Sequence, residues 1–274
     1  MTEFFKLSGS GNDFLALAEP AAPPAPEEIR AWCRRGVSLG ADGLFILRRR
    51  PDGADMEYFN ADGLPADLCL NGTRCAAQLA FHLGWADAAL AVRTGAGTVA
   101  ARRRDATRVT LELPAPATPQ PLAVTVDGIA RAGFRLRVGV PHFVLPWAQG
   151  LAGAPVRELG AAIRGHAAFG REGTNVNFVR FPERHRVEVR TFERGVEDET
   201  LSCGTGVLAA TAVGLAAGDL ELPVRAVTQG GFELEVDAEP GSGRWLLAGD
   251  ARLVARGDLL PTAAVAPAPP PWAP

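Results

Sequence analysis

Short apolar runs alternate with turns rich in Gly, Asn and Asp through the first hundred residues of the chain. Such runs are typical of strands, and they predict strands over residues 3–7, 14–17, 43–47 and 56–59, with a tight turn at residues 9–13. Pro26, followed by two glutamates, predicts the start of a helix that reaches residue 35, because Pro fits the first helical turn and acidic side chains stabilise that end. The pattern therefore predicts a fold that mixes strands with helices.

Two segments about half a chain apart repeat one order of elements. In each, a predicted strand precedes a polar loop, a cysteine, glycine residues, an Ala-rich helical run and a further pair of predicted strands. The first strand lies at residues 56–59 and again at 187–192, and the helical run lies at 74–83 and 207–217. The cysteines at matching places are Cys69 and Cys203. We therefore expect an α+β chain built from two copies of one unit.

A Pro-rich segment at residues 114–121 lies near the middle of the chain and is expected to link two domains. The expected domains are residues 1–117 with Cys69, completed by a C-terminal strand near residues 255–262, and residues 118–254 with Cys203. The end of the chain, residues 263–274, is rich in Pro and Ala and is expected to be disordered.

The composition narrows the class of protein. The 274 residues have a net charge of −3, whereas nucleic-acid-binding proteins usually carry a basic stripe. No stretch approaches the roughly 18 uncharged apolar residues that a membrane helix needs, and the start of the chain lacks an apolar signal core. We therefore expect a cytoplasmic protein without nucleic-acid or membrane partners. Lys6 is the one lysine, which argues against pyridoxal phosphate, a cofactor held by a Schiff-base lysine.

Four cysteines are too few and too scattered for a disulfide scaffold. Cys69 and Cys203 are predicted at the first turns of their helices, where the free N–H groups and the positive dipole end favour a thiolate and can hold a carboxylate. If the two units face each other, two thiols approach one carbon from opposite sides, an arrangement that suits inversion of a stereocentre without a cofactor. Cys33 and Cys75 lack this placement and are expected to be packing residues.

Eight short motifs carry a family resemblance, and they lie in order over most of the chain. They are KLSGSGNDF at residues 6–14, GADG at 40–43, FNADG at 59–63, Cys69 with NG at 71–72 and RC at 74–75, PH at 141–142, GTNVNF at 173–178, ERG at 193–195, and ET at 199–200 with CGTG at 203–206. In these motifs the chain resembles the diaminopimelate epimerases. The resemblance implies two pseudo-symmetric domains, each a mixed sheet or barrel wrapped around a central helix. It also implies a homodimer that interconverts LL- and meso-diaminopimelate without a cofactor, in lysine and peptidoglycan biosynthesis.

The resemblance also implies roles for individual residues. Cys69 and Cys203 match the acid/base pair, and His142 and Glu193 match positions that assist proton handling. The matched substrate contacts are Asn12, Asn60, Leu70, Asn71, Asn175, Glu193, Arg194, Gly204 and Thr205. This set suits a substrate with two amino-acid ends, because an Arg fork grips a carboxylate, Asn amides both donate and accept, and a Glu accepts from an ammonium group. No metal ligand is expected.

Two positions depart from the family pattern, and two other functions stay open. Leu70 stands where the family has Gly, and Val140 stands where it has Asn. Val140 cannot make a hydrogen bond to substrate, so a racemase or epimerase of another amino acid on the same fold is the first alternative. The second is a thiol redox protein. Metal binding is disfavoured, because the chain has no Cys-x-x-Cys pattern and no His pair at helical spacing.

Overall fold

The computed structural model describes residues 2–239 and 241–265. It divides into two compact units. The first contains the residues up to Arg108 and those from Ala251 onward, and the second spans Val109–Asp250.

Within the described residues the chain forms eighteen strands and four α-helices. The strands are β1 (Thr2–Gly9), β2 (Asn12–Ala18), β3 (Gly43–Arg50), β4 (Gly53–Asn60), β5 (Pro65–Ala66), β6 (Ala89–Thr94), β7 (Gly97–Arg103), β8 (Arg108–Pro114), β9 (Gln120–Val126), β10 (Ile129–Val138), β11 (Val140–Pro146), β12 (Asn175–Glu183), β13 (Arg186–Glu193), β14 (Asp198–Thr200), β15 (Val224–Thr228), β16 (Glu233–Glu239), β17 (Arg244–Asp250) and β18 (Arg252–Leu259). The helices are α1 (Pro26–Cys33), α2 (Leu70–His82), α3 (Val156–Arg164) and α4 (Gly204–Ala217).

In the first unit, paired strands surround α2. The strands pair in the order β18–β1–β2–β3–β4–β6–β7, with the short β5 beside β4. Helix α2 contacts all seven strands of that order. Every residue from Leu70 to Phe81 is buried, and several are Ala or Gly, whose small side chains let strands approach the helix closely. The Ala-rich run identified in the sequence is thus the centre of this unit.

In the second unit, paired strands surround α4 in the same way. The order is β9–β10–β11–β12–β13–β15–β16–β17–β8, with β14 beside β13. Helix α4 contacts β10, β11, β12, β13 and β16. Its residues are apolar or small on every side, the composition expected of a helix that is buried all round.

The two units repeat one pattern of strand directions. From β1 to β7 in the first order, and from β10 to β16 in the second, successive pairs are antiparallel, parallel, antiparallel, parallel and antiparallel. The predicted α+β class with two pseudo-symmetric domains around central helices is therefore confirmed. The structure extends the repeat to β1, β2, α1 and β3, which correspond to β10, β11, α3 and β12 and whose likeness the sequence did not reveal.

Several boundaries differ from the sequence expectations. Helices α2 and α4 begin directly after the cysteines, several residues before the Ala-rich runs, and α1 ends at Cys33 rather than residue 35. The Pro-rich segment at residues 114–121 lies inside the second unit, because β8 on its N-terminal side already pairs with β17.

The C-terminal residues that the structure describes are ordered. Pro261–Ala264 form a 3-10 turn, and Ala263 and Ala264 pack on an apolar cluster that includes Trp32 and Ile29 of α1. The disorder expected from residue 263 is therefore wrong for these two alanines, because part of their apolar surface is buried against this cluster. Residues 266–274 lie outside the described residues. Among the helices that the structure describes, none has the length and apolar character to cross a membrane.

Candidate active site

Cys69 occupies the N-cap of α2, where the sequence predicted it. Its backbone is extended, with φ −135° and ψ 109°, and its Sγ accepts a hydrogen bond from the Gly72 N–H at 3.4 Å. The carbonyl of Cys69 accepts from the N–H and the hydroxyl of Thr73, at 2.7 and 2.9 Å. The half-buried thiol thus takes the place that Ser or Asp occupies in an ordinary capped helix, beside the positive end of the dipole.

Asn12 and Asn71 lie together near this helix start. The Asn71 side-chain N–H donates to Oδ1 of Asn12 at 2.7 Å, and Nδ2 of Asn12 donates to Asp42 at 3.1 Å. Asn12 follows a two-residue hairpin turn at Ser10 and Gly11, whose positive φ values of 48° and 91° match the twist of the flanking strands. The hairpin turn therefore places Asn12 beside the N-terminus of α2.

A cluster of charges supports the same turn. Lys6, the one lysine, donates to Asp13 at 2.6 Å, and Arg35 pairs with both Asp13 and Asp42. Burial alone raises the pKa of Asp13, but hydrogen bonds from Arg35 and Lys6 outweigh it and hold the pKa at about 2. Asp42 is the member of this cluster that contacts the Asn12 side chain directly.

Cys203 occupies the matching N-cap of α4. Its φ of −125° and ψ of 109° nearly repeat those of Cys69. The buried thiol lies 3.4 Å from the hydroxyl of Thr205. Burial raises the pKa of the Glu193 carboxyl, while hydrogen bonds with the Thr200 and Cys203 side chains oppose this increase. In the second unit, Cys203 is thus in contact with both Thr205 and Glu193.

His142 is buried in the same unit and is electrically neutral. Burial lowers its pKa to about 3, and the charge of Arg194 acts in the same direction. Nδ2 of Asn177 lies 3.0 Å from Nδ1 of His142 and 3.4 Å from the Phe143 carbonyl, so this end of the amide donates and Nδ1 accepts. The proton of the neutral ring is then on Nε2, which has no hydrogen-bond partner within the described part of the chain.

Asn175 and Arg194 also come together. Oδ1 of Asn175 accepts from the Arg194 backbone N–H at 2.8 Å, and the Arg194 guanidinium contacts the carbonyl and carboxylate of Glu172 at 3.2 and 3.4 Å. Arg137 grips the same carboxylate at 2.9 Å. The Glu172 carboxylate thus already pairs with the Arg194 guanidinium, which could otherwise bind a carboxylate of a ligand.

The other predicted substrate contacts lie at a strand end and in the first turns of the two central helices. Asn60 is exposed at the end of β4, where its N–H and carbonyl close a turn with Leu64 and Gly63 at 2.9 Å each. Leu70 and Gly204 are the first residues of α2 and α4, and both are buried. Their N–H groups belong to the first turn, which has no acceptors within the helix. Val140 is two residues before His142 on β11, so both side chains lie on one face of the strand.

Three residues that the sequence did not single out support the site. Arg74 is fully buried and donates to Asn71 at 2.6 Å and to Ser10 at 2.9 Å. Asn177 orients His142, and the Thr191 hydroxyl donates to Asn177 at 3.0 Å. Arg74 and Asn177 lie inside motifs quoted above. The feature that could have identified them in the sequence is a polar residue within a helix or strand that is otherwise buried.

The remaining cysteines are packing residues in this structure. Both Cys33 and Cys75 are buried, and burial raises the pKa of the Cys33 thiol to about 12. Among the described residues, no three His, Cys, Asp or Glu side chains lie together as potential metal ligands.

Comparison with known proteins identifies the family. A family model described as diaminopimelate epimerase matches residues 4–115 and 134–254. The diaminopimelate epimerase of Aquifex aeolicus is 38% identical over 251 residues, which cover 86% of this chain and 89% of that protein. The diaminopimelate epimerase of Gemmatimonas aurantiaca is 37% identical over 275 residues, covering 93% and 98%. The chain belongs to the diaminopimelate epimerase family. It is therefore an isomerase.

Solved structures share the fold of this diaminopimelate epimerase family member at low sequence identity. A putative phenazine biosynthesis protein from Clostridium difficile has a TM-score of 0.72 and 12% identity, covering 95% of this chain and 100% of its own. A probable proline racemase from Agrobacterium radiobacter has a TM-score of 0.70 and 16% identity, covering 96% of each chain. At these identities the likeness concerns the fold alone.

Proposed function

We propose that this member of the diaminopimelate epimerase family interconverts LL- and meso-diaminopimelate by moving the α-proton between Cys69 and Cys203. The observation that carries the proposal is the equivalence of the two thiols. Each is the N-cap of the central helix of its unit, with nearly the same backbone dihedrals. A pseudo-symmetric enzyme with one such thiol per unit suits a reaction whose forward and reverse steps are mirror images at one carbon.

In the proposed reaction, one cysteine as thiolate takes the α-proton, forming an S–H bond as the C–H bond breaks. The other cysteine as thiol gives its proton to the opposite face of the same carbon, which leaves the second sulfur as the thiolate. The reverse reaction exchanges the two roles, so no cofactor or redox partner is consumed. First-turn N–H groups of α2 and α4 would stabilise the negative charge that spreads into the substrate carboxylate.

Glu193 and His142 would adjust proton transfer at Cys203 without replacing it. Glu193 touches the thiol, and its raised pKa favours a carboxyl group that can share a proton with sulfur. His142 is neutral with its proton on Nε2, so it can donate a hydrogen bond but carries no positive charge. We therefore assign both residues to orienting and polarising roles.

The substrate contacts divide by chemistry. Asn12, Leu70, Asn71, Gly204 and Thr205 lie at or beside the two helix starts and would hold the reacting end of the substrate. Asn60, Asn175, Glu193 and Arg194 would recognise the distal amino-acid end. Binding a distal carboxylate at Arg194 would require Glu172 to share or release the guanidinium. Family resemblance carries the further expectations of a homodimer and a cytoplasmic location.

Solvent proton exchange tests the proposal. The purified protein is incubated in heavy water with LL-diaminopimelate, and the loss of the α-proton signal is followed by NMR. Wild type should exchange it and form the meso isomer, and Cys69→Ala and Cys203→Ala should each form the meso isomer about 10²- to 10⁴-fold more slowly, the usual contribution of an acid or base, because inversion needs both thiols. Cys33→Ala and Cys75→Ala are matched controls that should retain activity.

A panel of amino acids tests the substrate assignment. The test is needed because Val140 stands where the family has Asn and cannot make a hydrogen bond to substrate. Exchange of proline, hydroxyproline or histidine without exchange of diaminopimelate would assign the chain to another racemase on this fold. Full activity in both Cys69→Ala and Cys203→Ala would refute the two-thiol mechanism. Reversible oxidation that couples to a thiol partner, without α-proton exchange of any amino acid, would favour the redox alternative.

A further inference from the structure

We propose that Arg74 and Asp42 are positioning residues that together fix which way the amide of Asn12 faces. A chain of hydrogen bonds joins them: Arg74 donates to Asn71 at 2.6 Å, Asn71 donates to Asn12 at 2.7 Å, and Asn12 donates to Asp42 at 3.1 Å. All four residues belong to the first unit. The consequence for catalysis rests on the proposed function, in which Asn12 contacts the substrate.

The two ends of the chain determine its direction. A guanidinium can only donate, and a carboxylate can only accept. Arg74 therefore obliges Asn71 to present its Oδ1 to the guanidinium and its N–H to Asn12. Asp42 obliges Asn12 to present an N–H to the carboxylate and its Oδ1 to Asn71. Each amide has one arrangement that satisfies both neighbours, and turning either over would place donor against donor or acceptor against acceptor.

Both ends are firmly held. Arg74 is fully buried within α2, and its second donor bond reaches the hydroxyl of Ser10 in the hairpin turn before Asn12. Asp42 also accepts from the Asp13 backbone N–H at 3.1 Å and pairs with Arg35 at 2.7 Å. The helix start and the hairpin are therefore aligned by the same two charged side chains, and Asn12 meets a ligand with its donor and acceptor ends already assigned.

Asp13 provides a matched control for Asp42. Both carboxylates pair with Arg35, both lie beside the hairpin, and substitution of either by Asn removes one negative charge. Only Asp42 accepts from the Asn12 side chain. If the ion cluster merely stabilises the fold, Asp13→Asn and Asp42→Asn should affect activity alike.

The first experiment compares these variants. Asp42→Asn should lower kcat/KM for diaminopimelate about 10- to 100-fold, the range for one hydrogen bond to a charged group, while Asp13→Asn stays within about twofold of wild type. Arg74→Lys keeps the charge, but the shorter side chain does not reach the position from which Nη2 of Arg74 donates to both Asn71 and Ser10, and it should resemble Asp42→Asn. Equal effects of Asp13→Asn and Asp42→Asn would overturn the proposal. Asp42 is partly exposed, so the test does not depend on replacing the buried arginine.

A polarity swap separates orientation from stability. Asn12→Asp alone places two carboxylates against each other and should lower both thermal stability and activity. Adding Asp42→Asn restores a donor–acceptor pair with the same total charge but with the hydrogen bond reversed. The double variant should therefore regain the melting temperature and remain at least 10-fold impaired in kcat/KM. Recovery of activity together with stability would show that the direction of the chain does not matter.

The amide itself can be observed without substrate. In ¹⁵N-labelled wild type, the Asn12 side-chain NH₂ should give two proton signals, and the proton bonded to the Asp42 carboxylate should lie downfield of its position in a free amide. Asp42→Asn should move that signal upfield, whereas Asp13→Asn should not. Unchanged signals in Asp42→Asn would refute the positioning role. If wild type fails to exchange the diaminopimelate α-proton while these spectra behave as expected, the proposed function fails and the positioning role stands.

Discussion

Two glycines at equivalent places should respond oppositely to substitution by alanine. Gly72 and Gly206 are each the third residue after the N-cap cysteine, in α2 and α4. A Cβ at Gly206 would lie far inside van der Waals contact with Oδ1 of Asn177 and 3.1 Å from the Thr191 hydroxyl. A Cβ at Gly72 would meet the flexible end of Met56 at 3.2 Å. The pseudo-symmetry therefore hides a difference in packing.

The magnitudes follow from these contacts. Replacing a helical Gly by Ala gains about 0.5–1 kcal/mol from backbone entropy. At Gly206 this gain is opposed by an overpacking cost of about 1–3 kcal/mol, plus about 1–3 kcal/mol if Asn177 is displaced from its buried partners. Gly206→Ala should therefore destabilise α4 by about 1–5 kcal/mol. At Gly72 the methionine end can rotate away, so Gly72→Ala should be neutral or stabilising by up to about 1 kcal/mol.

Native-state hydrogen exchange measured by mass spectrometry can resolve the two helices. Peptides from α4 should lose protection in Gly206→Ala, and peptides from α2 should keep or gain it in Gly72→Ala. Because Asn177 orients His142, Gly206→Ala should also reduce the rate of α-proton exchange. Equal protection of α4 in Gly206→Ala and wild type would refute the packing argument, as would a larger loss in Gly72→Ala than in Gly206→Ala.

Two further predictions concern titratable groups. The unfolded chain protonates His142 below about pH 6.5 but the folded chain resists to about pH 3, so stability should fall as the pH drops through this window. Between pH 7 and pH 5, urea unfolding should show wild type losing roughly 2 kcal/mol more than His142→Asn, whereas equal losses would contradict the buried neutral ring. At pH 8, iodoacetamide should modify half-buried Cys69 before Cys33, whose raised pKa keeps it a thiol. Mass spectrometry would check this, and native Cys33 reacting as fast as Cys69 would contradict it.

The sequence predicts what depends on local pattern. Each of Cys69 and Cys203 follows a strand and a polar loop and precedes an Ala-rich run. This order can be recognised from residue types alone, and it predicts a cysteine at the N-terminus of a helix. The first half of each repeat could not be matched in the same way. Strands β1 to β3 and β10 to β12 share directions and pairing, but their side chains fill different cores, so the likeness is in the backbone.

Residues that hold the site are harder to find in the sequence than residues that form it. Arg74 is charged and fully buried, against the general tendency of Arg to be exposed, and only the fold reveals that Ser10 and Asn71 receive its hydrogen bonds. In the sequence, nothing distinguishes Asn177 from the other residues of its strand, and only the structure shows its hydrogen bond with His142. Partners distant along the chain are set by topology, which local residue patterns do not encode.

Cys69 and Cys203 have nearly the same backbone conformation, but different side chains surround them. Around Cys69, the neighbouring amides are ordered by charged groups at both ends of a hydrogen-bond chain, from Arg74 to Asp42. Around Cys203, the neighbours include a carboxyl group with a raised pKa and, through Asn177, a neutral imidazole. The proposed inversion would require opposite protonation states on the two sulfurs at any moment. The two helix starts would therefore support these states by different means, ordered amides beside Cys69 and a carboxyl group beside Cys203.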